Sequence, residues 1–220
     1  MRFVILPDDL PVRLPNKNTF RNQQDESSRM LHSRGRAVLF ALVYLLSVGP
    51  TKADSGWYYI GFLGVMTENR WHETLTPGQL KLADSNLAGL GLGWDRQIGT
   101  SRFSYGFELQ TVGHFGRQDH FEVNLPLILR YTPDHPVPKQ LQSLAIGLGL
   151  SHATKIPRVE LDRKGASQRN LVYWMAEIEF ALREVESNLY FRLHHRSDGY
   201  GFYDVSSGST GLVVGWRTSF

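Results

Sequence analysis

Apolar and polar residues alternate with a period of two through most of the chain after residue 54. In the segment 120–131, Phe121, Val123, Leu125, Leu127 and Leu129 stand against Glu122, Asn124 and Arg130. Successive side chains of an extended strand point to opposite faces, so this spacing predicts a strand with one oily and one polar face. The same pattern predicts strands over 57–66, 86–98, 102–114, 143–153 and 170–183. Residues 189–220 read as a closing hairpin, with Leu189, Phe191, Leu193, His195 and Ser197 on one face and Tyr190, Arg192, His194, Arg196 and Asp198 on the other. Its second strand repeats the apolar face at Leu212, Val214, Trp216, Thr218 and Phe220. Helical spacing fits none of these segments as well.

Eight such strands suit either a soluble barrel with a greasy inside or a membrane barrel with a polar inside. Here one face is large and apolar, while the other mixes Gly with Glu, Arg, Asn, Gln and Tyr. The interior of an eight-stranded barrel has room only for side chains, so interleaved glycines and ion-pairing residues suit a narrow lumen and exclude a wide ligand pore. The expected fold class is all-β, an eight-stranded antiparallel up-and-down transmembrane β-barrel. Trp57, Tyr58, Trp94 and Trp216 are expected to form its interfacial aromatic girdle. The links after the odd-numbered strands are mostly longer than those after the even-numbered ones, which places the former outside the cell and runs the seventh strand outward.

Charge changes the picture only locally. The 220 residues carry a net charge of +3, but residues 1–53 hold 8 of the 24 Lys and Arg and 4 of the 21 Asp and Glu. Residues 54–220 are therefore close to neutral, and nucleic acid is not an expected partner. Residues 30–53 combine a basic start, an apolar run from Ala37 to Val48 and a small-residue end at Ala53, the pattern of a secretory signal peptide. Residues 1–29 have no place in such a signal, so translation is expected to start at Met30, leaving 54–220 as the barrel domain. The chain has no cysteine, which removes disulfides and thiolate metal sites. His72, His114, His120, His135 and His152 lack metal-ligand spacing and read as solvated or girdle residues; no metal or cofactor is expected.

Chemistry concentrates at the outer end of the seventh strand. His195 and Ser197 are two residues apart on the apolar face, close enough for an imidazole to approach a hydroxyl, the first requirement of an activated serine. An unpaired polar group at a hydrocarbon boundary costs a few kcal/mol, so both should bond each other or a substrate headgroup. His-x-Ser alone is a weak signal.

The stretch HHRSDGYGFYDVSSGSTGLVVGWRTSF resembles the C-terminal hairpin of the PagL-type lipid A 3-O-deacylases, also grouped as acyloxyacyl hydrolase-like outer-membrane barrels. The resemblance covers 193–220 specifically and the rest of the barrel loosely. It implies cofactor-free hydrolysis of the 3-position acyl ester of lipid A, with Ser197 as nucleophile and His195 as general base. It also implies lipid A or lipopolysaccharide and outer-membrane lipid as partners, and a homodimer is compatible with it. The family's orienting Glu would fall near Ser209 or Thr210, neither a carboxylate. Strand parity favours Thr210, and Asp204 is the nearest alternative acid. A hydroxyl can fix the imidazole tautomer but stabilises an imidazolium less than a carboxylate does. The family's Asn after the Ser is replaced by Asp198, so backbone N–H groups such as that of Gly199 are the candidate oxyanion donors. The basic, polar stretch 155–170 reads as a solvated loop, in which Arg163 and Lys164 are candidate contacts for lipid A phosphates. A barrel of the same ancestry without catalysis, serving a structural or surface role, is the alternative.

Overall fold

A computed structural model describes residues 55–182 and 187–220; the signal-peptide and extension expectations for 1–53 fall outside these residues. Eight strands, β1 (Ser55–Thr67), β2 (Leu82–Gln97), β3 (Phe103–Gly116), β4 (His120–Tyr131), β5 (Leu141–Ala153), β6 (Asn170–Ala181), β7 (Ser187–Ser197) and β8 (Gly208–Ser219), pair antiparallel in sequence order. β1 pairs with β8, from Tyr58 opposite Ser219 to Thr67 opposite Thr210, and the sheet closes. Closure removes every free edge, which is what allows a sheet to sit in hydrocarbon. Two short helices, α1 (Trp71–Thr74) and α2 (Arg158–Lys164), lie in the connections at the end where β1, β3, β5 and β7 finish.

The faces divide by solvent. Leu90 is 67% exposed and Ile146 61%, whereas Glu108 and Glu179 are completely buried. β4 alternates at every position, with Phe121 to Leu129 outward and Glu122, Asn124 and Arg130 inward. A continuous apolar exterior around a charged interior is the arrangement of a transmembrane barrel, and the inverse of a soluble one.

The lumen is filled rather than open. Arg192 grips Glu108 with two bonds of 2.9 and 3.0 Å and also binds Glu177. Arg130 bridges Glu177 and Glu179, and Arg217 joins Glu179 to Asp95. Each charge thus leaves water only in the company of an opposite one. Beside this chain, Tyr58, Ile60 and Phe62 of β1 lie across Gly93, Gly91 and Gly89 of β2. A methyl group at Gly89 would stand 2.2 Å from Phe62, so the glycines are the space into which the large side chains fit.

Three placements differ from expectation. Tyr58 faces the lumen, not the girdle: its hydroxyl donates to Glu108 at 3.0 Å and Arg217 lies 3.9 Å over its ring. The girdle at the short-turn end is formed instead by outward rings, with Trp57 and Trp94 each about 6 Å from Phe107. His114 and His120 are buried in the lumen rather than solvated, because each shares the parity of the inward Glu108 or Glu122 on its strand. The stretch 155–170, expected to be a solvated loop, contains α2, which buries Val159 and Glu160 and ends on Gly165 at φ +74°, a left-handed conformation suited to glycine.

Candidate active site

The site grows out of strand register on the outer surface. Trp174 of β6 stands opposite His195 of β7, His195 opposite Thr210 of β8, and Thr210 opposite Thr67 of β1. All four point away from the lumen, so they form one row across four strands. His195 is nevertheless only 5% exposed. Trp174 packs on one side of its ring at 5.0 Å between centroids, and Trp71 of α1 meets Trp174 edge-on at 5.5 Å.

Among the described residues the imidazole has one polar contact, Nδ1 to the Thr210 hydroxyl at 2.9 Å. Thr210 is itself fully buried, and its backbone carbonyl accepts the Thr67 hydroxyl at 3.2 Å. Thr67 in turn lies 3.1 Å from the hydroxyl of Thr74, which ties α1 to the row. In the tautomer in which Nδ1 donates to Thr210, the lone pair of the His195 ring sits on Nε2, as a general base needs. Asp204 is exposed in the β7–β8 loop and makes no hydrogen bond with His195 among the described residues.

Ser197 lines the same cleft as His195, two residues nearer the strand end. No hydrogen bond joins the two side chains among the described residues; the Ser197 hydroxyl accepts the Gly199 N–H at 3.3 Å instead. Across the ladder Ser197 faces Gly208, where a side-chain carbon would stand 2.7 Å from the Arg196 carbonyl oxygen. The loop that follows turns through three positive φ values at Gly199, Tyr200 and Gly201. It projects Tyr200, 96% exposed, and Phe202 from the barrel rim. Asp198 ends the alternation: it lines the cleft, and its carboxylate accepts the Tyr200 N–H at 3.1 Å.

The cleft has a volume of about 160 Å³, and its rim is basic, with Arg70, Arg163 and Lys164 lining it. Arg163 is part of the scaffold: it donates to the Asn69 carbonyl at 2.7 Å and to the Gly208 carbonyl. Burial holds its guanidinium below the ordinary arginine value, with Glu160 pulling the other way. Lys164 is exposed and forms no hydrogen bond or ion pair among the described residues, which leaves its charge for a ligand. Sequence reasoning missed Trp71, Trp174 and Arg70. Trp174 was readable, since its parity on β6 and its ladder position beside β7 put it next to His195.

No family model matches the chain. No curated protein matches it either. Among solved structures it is similar to the crystal structure of the outer membrane enzyme PagL, at 13% identity and a TM-score of 0.47, over 73% of this chain and 98% of that one. A designed transmembrane β-barrel is similar at 8% identity and a TM-score of 0.41, over 75% of this chain and 95% of the design.

Proposed function

We propose that the chain is an outer-membrane serine esterase that hydrolyses an acyl ester of a lipid held in the outer leaflet. The observation that carries this reading is the outward row in which Thr210 holds His195 beside a cleft that also contains Ser197. A nucleophile on the outer wall of a barrel meets a substrate that never leaves the membrane. The resemblance of residues 193–220 to PagL-type deacylases favours the 3-position ester of lipid A, and the basic rim at Arg70 and Lys164 suits its phosphates. Residues 30–53 would serve as the export signal.

In this mechanism the Ser197 hydroxyl turns from the Gly199 amide toward His195. Nε2 takes its proton as Oγ attacks the acyl carbonyl carbon, and the carbonyl oxygen becomes an oxyanion. The same turn frees the Gly199 N–H, which then stands beside the reacting centre as an oxyanion donor. Collapse expels the sugar alkoxide, which takes the proton from His195. Water, deprotonated by His195, then releases the fatty acid from Ser197. Thr210 accepts from Nδ1 throughout and spreads little of the imidazolium charge, so turnover should be slower than with a carboxylate in that place.

A catalytically silent barrel is the second reading. It is favoured by the hydroxyl at Thr210 and by the resting Ser197, bonded to Gly199 rather than to His195. Mass spectrometry of lipid A from cells expressing the protein separates the two. Loss of one hydroxyacyl chain with the wild type, abolished by Ser197→Ala and by His195→Ala while both variants insert as heat-modifiable barrels, supports the esterase. Unchanged lipid A with the wild type, or deacylation that survives either substitution, removes it.

A further inference from the structure

On the other face of β7 the lumen gathers a second cluster of imidazoles, separate from the outward cleft and independent of the esterase reading. The Nε2 atoms of His114 and His194 each lie 3.1 Å from a different oxygen of the Glu122 carboxylate. One ligand atom from each of the three residues falls within 4.8 Å of the others, and all three residues are buried. We infer that this end of the lumen binds one zinc-class divalent cation through His114, His194 and Glu122.

The donor set points to that class of ion. Two imidazoles and one carboxylate are a zinc site of three protein ligands with a fourth position open. Oxygen-seeking magnesium or calcium would want more oxygens than the single carboxylate provides. The groups behind the ligands also fit. His194 Nδ1 is 3.2 Å from the Tyr173 hydroxyl, which can accept a proton as readily as give one. His114 Nδ1 is 3.0 Å from the side-chain amide of Gln118, which presents its oxygen when the amide is turned over. Both rings can therefore carry hydrogen on Nδ1 and offer Nε2 to a metal, His114 in exchange for the 3.4 Å bond from the Val159 N–H to the Gln118 oxygen.

Two further observations ask for a cation there. The ring of His120 is stacked on that of His114 at 4.3 Å, and His120 Nε2 is buried with no hydrogen-bond partner. Such an orphan is what a metal-bound water in the open position would satisfy. In addition, Glu122 shares its ion-pair partner, the Arg196 guanidinium at 3.4 Å, with a second buried carboxylate, Glu160, also at 3.4 Å. A carboxylate that has only part of a guanidinium to itself favours a cation in its company.

The test uses untagged barrel refolded in detergent with Zn2+ or Co2+, desalted, and assayed for metal by mass spectrometry and for Co2+ by visible absorption. Folding is followed by heat-modifiable migration. The expected result is about one metal per folded barrel, with the intense visible bands of low-coordinate cobalt. Glu122→Gln and His194→Gln should each weaken binding by about tenfold or more. The surface double variant His135→Ala/His152→Ala should bind as the wild type does. Folded wild type that retains no stoichiometric metal, or binding that disappears with the two surface histidines, overturns the inference; a proton shared between imidazole and Glu122 is then the occupant. If the lumen variants do not fold, the wild-type stoichiometry and the surface variant still decide.

Discussion

Thr210→Val tests whether the row on the outer wall is machinery or packing. Valine keeps the branched shape at a fully buried position and deletes only the hydroxyl that holds His195 Nδ1 at 2.9 Å. The link to β1 survives, because Thr67 donates to the backbone carbonyl of residue 210 and not to its side chain. Barrel stability should therefore fall by no more than the hydrogen bond and its stranded partner, about 1–3 kcal/mol. The effect on catalysis has a different origin. The tautomer with hydrogen on Nδ1 loses its acceptor and its advantage of about 1 kcal/mol, so the ratio of the base-competent tautomer to the other drops by roughly fivefold and the rate by up to that factor. Rates of lipid A deacylation in matched proteoliposomes, compared with Ser197→Ala as the zero, measure this. A slowed enzyme with unchanged migration on gels is the expected outcome. Full activity in Thr210→Val would refute the orienting role.

Two further predictions concern the scaffold. Arg192→Leu strands Glu108 and weakens Glu177 in the lumen, and should cost about 3–5 kcal/mol in urea unfolding followed by tryptophan fluorescence; a loss below about 1 kcal/mol would mean that water reaches these carboxylates. Gly89→Ala places a methyl group against the Phe62 ring and should destabilise by about 1–3 kcal/mol, whereas Gly56→Ala, with nothing near its side-chain direction, should be close to neutral in the same assay.

How much of this was legible in the sequence follows from where the solvent changes. β4 lies wholly in the zone where outward means lipid, so its apolar alternation marks it from His120 to Tyr131. β2 begins at Leu82, four residues before its alternation is readable. Asp84 and Asn86 point outward there and are exposed, which polar side chains tolerate beyond the hydrocarbon. α2 is too short for a period of 3.6 to show, although Gly165 was a usable stop signal. The row that holds His195 could be built from parity alone once Thr210 was placed on the outward face. The His114–Glu122–His194 cluster could not. His114 and Glu122 are diagonal neighbours on the inner face of the β3–β4 hairpin, but His194 on β7 meets them only across the lumen, a contact that closure of the sheet creates and ligand spacing along the chain does not show.

His194 and His195 are neighbours in the chain yet belong to different worlds, one to the plugged interior and one to the lipid side. A side-chain period of two means that deleting one residue upstream in β7 would exchange them, sending the lumen imidazole into the membrane and the cleft imidazole among the carboxylates. This strand can drift in composition but not in length, while the stretch 201–205 of the loop that follows, outside the ladder and off the cleft lining, is where insertions can accumulate without scrambling either site.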